Sequence, residues 1–323
     1  MKLETAGLFL LALLPRLWGM RRLVTVDEAY WLRQTLLFWQ ALTARQWADA
    51  GITPEPGLTT LWGGGLGLWG YRLAVSTLSL TDWLALFRPL PVRLELLQAA
   101  RLPLILLTCA GIGILYRLMR PCLGLPAARL AAGLLAFEPF FVAQSRLLTN
   151  EAPAALLALI TLLTLWRAAQ GSEWALVGAG VSAGLAVAAD WTAVLLIPFA
   201  AAVFGVAGPK EGPLWRRLAG PVERFAFWLL LVGVVLVALW PAALLQPSNI
   251  LRAVAGRPFG LGERQQALEL LFRLAPVSMI GLALWPVYRS RLPGRTRAAT
   301  HLLALFSAAF LLLIVVSGPR VEG

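Results

Sequence analysis

Long apolar runs alternate with short polar stretches along the whole chain. A membrane-spanning helix needs roughly 17–25 mostly apolar residues. Nine segments read as spans on this ground: Thr5–Met20, Leu94–Tyr116, Ala127–Ala143, Ala152–Trp166, Trp174–Ala189, Trp191–Val206, Phe225–Leu244, Leu268–Val287 and Ala298–Val316. As one helix, Trp174–Val206 would reach roughly 50 Å at about 1.5 Å per residue. A hairpin turning at Ala189-Asp190-Trp191 is therefore predicted, and it places Asp190 in water rather than lipid. The first apolar run is interrupted by Pro15 and Arg16 and has no small-residue cleavage site after it, so it reads as a short span rather than a signal peptide. Arg16 and Arg21 are expected to snorkel to the outer surface.

The pattern changes between the first and second spans. In Ala29–Ala48, Leu32, Leu36, Trp39 and Leu42 share one helical face, while Arg33, Gln40 and Arg45 lie off it. Asp49–Arg93 is apolar but contains Gly63-Gly64-Gly65 together with Trp62, Trp69 and Trp83. This mixture predicts helices lying in the membrane interface rather than a tenth span. A connecting segment of about 70 residues without a domain of its own is usually functional. No repeat or linker divides the chain, so residues 1–323 are expected to form one transmembrane domain, with 21–93 as its first external loop.

Composition strengthens this picture. The 323 residues are 59% hydrophobic, with a mean hydropathy of +0.75. Only 14% are charged, against about 25% in soluble domains. The expected fold is all-α, a polytopic helix bundle. The net charge of +12 then reports orientation, not nucleic acid. Arg117, Arg120 and Arg129, then Lys210, Arg216, Arg217 and Arg224, then Arg289, Arg291, Arg295 and Arg297 fall in three loops on one side. The positive-inside rule makes that side, and the N-terminus, cytoplasmic. The outer side then holds Asp27, Glu28, the stretch Arg146–Glu151, Asp190 and Leu245–Arg264. With His301 as the lone histidine, no His-based metal site is expected. Cys109 and Cys122 fall at different depths and are not expected to pair.

Candidate chemistry lies on the outer side. "LVTVDEAYW" carries two adjacent acids in an acid-poor chain. Thr25 and Glu28 fit a capping box, with Thr25 as N-cap and Glu28 three residues on. That leaves Asp27 in the first helical turn, where the helix dipole favours its ionised form. Arg146, at the end of the third span, is a candidate for binding phosphate bidentately, or else an ordinary snorkelling arginine. Arg273 lies inside an apolar run and is a functional candidate on that ground; Arg101 is a weaker one. Asn150 and Glu151 read either as site residues or as the N-terminal cap of the fourth span. Glu138 precedes Pro139 within an apolar run and reads as structural.

Three stretches resemble GT-C glycosyltransferases, specifically the protein O-mannosyltransferase-like family 39, with lipid A aminoarabinose transferases as relatives. "RLWGM…VTVDEAYW" resembles the family's first-loop signature, and "TPEPGLTTLW" its His-Pro-Gly-Val-Thr-Thr segment. "LAFEPFFVAQSRLLTNEAPAALL" is similar to its third-span ending, Phe-Asp-Pro-Phe followed by Ser-Arg-Leu and an acid. The likeness continues faintly through "LVALWPAALLQP" and "FRLAPVSMIGLAL". The resemblance implies inverting transfer of a sugar from a polyprenyl-phosphate donor to an acceptor hydroxyl on a protein, lipid or glycan. It places this chemistry at the outer face of a multi-pass protein, expected in a prokaryotic plasma membrane. It further implies that Asp27, the first acid of the pair with Glu28, is the general base. No cofactor is expected beyond the lipid-linked donor, and metal dependence stays open.

The chain departs from the family pattern in places. Glu55 stands for the usual His, Asn150 for an Asp, and Asp190 where relatives often carry Lys. The sequence ends at "VVSGPRVEG", where relatives continue into further spans, so it reads as a C-terminally short variant, a fragment or a degenerate copy. A non-catalytic GT-C-like subunit, packing in a membrane complex or binding lipid, therefore remains the alternative. A transporter should show paired broken helices in two halves, and no such symmetry is visible.

Overall fold

The apolar runs form helices throughout the described part of the chain, and no strand occurs among the described residues. The structure, a computed structural model, describes residues 2–248 apart from 19, 21–24, 51–52, 54–55, 86–92 and 208–212. The chain divides into two compact units, Met1–Val254 and Ala255–Gly323, and the described residues belong to the first. The helices are α1 (Lys2–Leu17), α2 (Val26–Thr43), α3 (Leu58–Val75), α4 (Leu80–Ala85), α5 (Leu94–Leu123) and α6 (Leu125–Phe137). They continue with α7 (Pro139–Gln144), α8 (Glu151–Ala169), α9 (Glu173–Ala189), α10 (Leu196–Ala207), α11 (Leu214–Leu239) and α12 (Pro241–Leu245).

Among the described residues, three helices are long and apolar enough to cross a membrane: α5, α8 and the Ala219–Leu239 part of α11. Leu125–Phe137, Glu173–Ala189 and Trp191–Ala207 are shorter apolar helices. The expected spans Leu268–Val287 and Ala298–Val316 lie outside the described residues. The long apolar run does break at the predicted place: α9 ends at Ala189, and a 3-10 turn over Trp191–Leu195 leads into α10.

Two expected spans are interrupted, and proline explains both. Ala127–Ala143 is not one helix, because α6 stops at Phe137. Pro139 has no N–H, and the residue before a proline is pushed out of the helical region. Glu138 takes φ −59° and ψ 120°, and its carboxylate accepts from Phe140 N (3.0 Å) and Phe141 N to start α7. Phe225–Leu244 breaks in the same way before Pro241, with Trp240 at φ −125° and ψ 79°.

The break in α6 also explains why Arg16 does not snorkel as expected. The last carbonyls of a helix have no donor of their own. Arg16, fully buried at 0% exposure, supplies donors. Its Nη1 donates to Ala136 O (3.0 Å) and Ala12 O (2.8 Å), and its Nη2 to Leu135 O (3.2 Å). Its Nε donates to Ser145 Oγ (2.8 Å), and the guanidinium lies 5.4 Å from the centre of the Phe141 ring.

Close helix contacts rest on small residues, as expected where lipid cannot drive helices together. A Cβ on Gly180 would stand 2.6 Å from Leu231 Cβ, and one on Gly184 2.6 Å from Val235 Cβ, which brings α9 against α11. Thr161 Oγ1 donates to Ser182 Oγ (2.9 Å) between α8 and α9.

A close backbone approach joins α3 to α5. Pro103 cannot donate to Ala99 O, so that carbonyl lacks its helical partner. Gly67 covers it, and a Cβ there would lie 1.9 Å from Ala99 O. Gly67→Ala must push the two backbones apart. It should cost about 1–3 kcal/mol, the usual range for overpacking, read as a lower unfolding midpoint of the detergent-solubilised chain. An unchanged midpoint would mean that α3 is not held against α5.

The segment before α5 forms helices packed on the bundle. In α2, Trp31, Leu32, Thr35, Leu36, Phe38 and Ala41 are buried and Arg33 is exposed. Leu32 and Leu36 thus lie in the core, with Trp39 and Leu42 packed against it.

Connectivity sends α5 from Arg101 at one end to Arg120 at the other, about 28 Å away at about 1.5 Å per residue. At the Arg120 end, Glu4 accepts from Arg129 and from Tyr116 Oη (2.9 Å), which hold its carboxyl below the usual carboxylate range. Arg224 pairs with Glu173 (2.9 Å) where α8, α9 and α11 meet.

Candidate functional site

The start of α2 is built by the predicted capping box. Thr25 is extended (φ −98°, ψ 161°), so its side chain can fold back over the first turn. Glu28 N donates to Thr25 Oγ1 (3.3 Å), and Thr25 N donates to Glu28 Oε2 (3.1 Å).

The same carboxylate does more than complete a cap. Glu28 is 0% exposed and Arg101, from α5, is 1% exposed. Arg101 Nε donates to Glu28 Oε1 and Arg101 Nη2 to Glu28 Oε2, each at 2.6 Å. This is the two-pronged geometry that makes arginine–carboxylate pairs strong. Leu148 N, from the loop between α7 and α8, also donates to Glu28 Oε1 (2.8 Å). Arg101 Nη1 donates to Met20 O, in the segment after α1. A buried charge is tolerated when it is paired and hydrogen-bonded, and both partners satisfy that here. Asp27, one residue earlier, is exposed on the first turn of α2.

The segments around this pair are bonded into one end of the bundle. Asn150 sits at the position before α8 but does not cap it as expected. Its backbone is helical (φ −96°, ψ −17°), and its side chain turns to α9 instead. Asn150 Nδ2 donates to Ala189 O (3.2 Å) and Asp190 Oδ2 (3.1 Å). Asp190 Oδ1 accepts from Thr192 N and Thr192 Oγ1, each at 2.7 Å, and caps the 3-10 turn.

The turn before α3 docks on the same carbonyl, since Gly57 N donates to Ala189 O (3.1 Å). Gly57 has φ +52°, and a Cβ there would lie 2.1 Å from the Trp31 ring, so no other residue fits. Thr60 Oγ1 donates to Thr149 O (3.0 Å), and Trp62 Nε1 to Leu239 O (2.9 Å). Glu151 is exposed in the first turn of α8.

Arg146 is half-buried between α7 and α8, and its Nη1 donates to Trp18 O (2.8 Å). With Arg16 on Ser145, this ties the end of α1 to the end of α7 from both directions. Glu55 and Arg273 lie outside the described residues.

The structure thus brings Glu28, Arg146, Asn150 and Asp190 to one end of the fold through a continuous chain of contacts. The partnership of Glu28 with Arg101 was missed from the sequence. Its signal was present in each residue alone: an arginine inside an apolar run needs an acceptor, and an acid beside it in space supplies one.

Residues 90–243 match the family described as dolichyl-phosphate-mannose-protein mannosyltransferase. The matched region starts just ahead of α5 and ends in α12, so it contains Arg101, Arg146, Asn150, Glu151 and Asp190. No curated protein and no solved structure matches the chain significantly. The all-helical fold and membrane-length apolar helices of the described residues agree with this match, so the region 90–243 is similar to mannosyltransferase-like membrane proteins of the GT-C type.

Proposed function

We propose that the chain transfers a sugar from a polyprenyl-phosphate-linked donor to an acceptor hydroxyl, with inversion, at the outer membrane face. The family match supports a membrane glycosyltransferase of mannosyltransferase type. The observation that carries the finer reading is the contrast at the start of α2. Glu28 is locked into the protein while its neighbour Asp27 is exposed, so a carboxylate is presented on a rigid mount.

Asp27 takes the proton from the acceptor hydroxyl as that oxygen bonds to the sugar's anomeric carbon. The anomeric C–O bond breaks on the opposite face, and polyprenyl phosphate leaves with the electron pair. Phosphate is a weak base, so the leaving group needs a cation rather than an acid. Arg146 is the described candidate for that role, and Arg273 is a further one. Glu55, Asn150, Glu151 and Asp190 are candidates for shaping the site, Asn150 and Asp190 through their mutual bond.

The charge distribution supports the outer-face assignment. Arg120 and Arg129 lie at the end opposite Glu28, and the positive-inside rule makes that end cytoplasmic. In a Cys109→Ala/Cys122→Ser background, single cysteines at Asp49 and Arg120 should react with a membrane-impermeant maleimide from opposite sides. Reaction of both from one side overturns this topology. The chemistry is tested by Asp27→Asn, assayed for transfer from polyprenyl-phosphate mannose; undiminished transfer refutes the assignment of the base.

A further inference from the structure

We propose that Glu28 and Arg101 are positioning residues that fix the separation between the base Asp27 and the phosphate-binding Arg146, a role that rests on the function proposed above. The pair joins four segments at one carboxylate. Thr25 and Glu28 belong to the start of α2, Arg101 to α5, Met20 to the stretch after α1, and Leu148 to the loop between α7 and α8. Asp27 is covalently next to Glu28. Arg146 is two residues before Leu148 and is held to Trp18, near Met20. Asp27 and Arg146 are thus each tied, within two residues, to one buried ion pair.

Stability alone does not require such a pair. Replacing both partners of a buried ion pair with apolar residues is often neutral or stabilising. What apolar side chains cannot reproduce is the directed set of bonds to Thr25 N, Leu148 N and Met20 O. Positioning matters at this scale, because a displacement of about 1 Å can cost roughly 100-fold in rate. Lysine would not serve in place of Arg101, because it lacks the planar fork that meets both carboxylate oxygens.

The test separates positioning from folding. The double variant Glu28→Leu/Arg101→Met removes both charges, and the full chain is assayed with polyprenyl-phosphate mannose and a serine/threonine peptide. The expected result is a Tm near that of the parent, a kcat at least tenfold lower and an unchanged donor KM. Recovery of both Tm and kcat in the double variant overturns the proposal. Spin labels at Val26 and Glu151, both exposed, provide a readout independent of turnover. Their distance distribution should broaden in the double variant, and an unchanged narrow distribution also overturns the proposal. A parent chain that turns over no donor refutes the proposed function, while the spin labels still decide whether the pair fixes the segments. If the double variant does not fold, Arg101→Lys decides instead. A fall in kcat at constant donor KM and near-parental Tm supports positioning, whereas activity that merely tracks the folded fraction overturns it.

Discussion

Replacing Asp27 with Asn is expected to lower kcat by about 10²–10⁴-fold, the usual contribution of a general base, with donor KM and Tm close to the parent values. The substitution keeps the size and shape of the side chain and removes only its ability to accept a proton. The fold should not register the change, because Asp27 is exposed and the capping bonds at the start of α2 belong to Thr25 and Glu28. The donor should bind as before, since its phosphate is assigned to Arg146 rather than to the carboxylate. Steady-state transfer kinetics with thermal unfolding on the same preparation would check all three. A loss of activity accompanied by an equal loss of folded protein would make Asp27 a structural residue.

Glu28→Ala should have the opposite profile, unfolding the detergent-solubilised chain more easily by about 3–5 kcal/mol, as expected when one partner of a buried ion pair is removed. The variant leaves Arg101 charged, 1% exposed and without its bidentate acceptor, and it removes the acceptor of Leu148 N. Losing a cap alone would cost only about 0.5–2 kcal/mol. The size of the loss therefore discriminates between a helix cap and a buried ion pair. Arg101→Ala should be comparably damaging, and the two losses should not add, because both variants break one interaction. Denaturant unfolding followed by tryptophan fluorescence would measure them. A loss below about 2 kcal/mol would place Glu28 back among ordinary cap residues.

Local features of this fold could be read from the sequence because their causes are local. The capping box at Thr25–Glu28 depends on four consecutive residues, and the turn at Asp190 on the length of one apolar run. The burial of Leu32 and Leu36 follows from their spacing in α2. The breaks before Pro139 and Pro241 were also written locally, but an unbroken apolar composition masked them. Other features depend on partners far away in the chain. Arg16 looks like a snorkelling arginine until α6 ends early and offers it carbonyls 119 and 120 residues away. Asn150 looks like a cap until Asp190 comes within reach from α9. The ion pair joins residues 73 apart, a distance over which periodicity carries no information.

That interval also has a consequence in time. At about 5–20 residues per second of synthesis, the Glu28 carboxylate leaves the ribosome roughly 4–15 seconds before the Arg101 guanidinium. Arg101 lies in the first part of α5, a helix that is otherwise apolar enough to enter a bilayer. When that helix inserts, its one deeply placed charge meets an acceptor that has already been made and is waiting on the preceding segment. The order of the two residues along the chain therefore limits how long an unpaired arginine must persist in lipid during assembly.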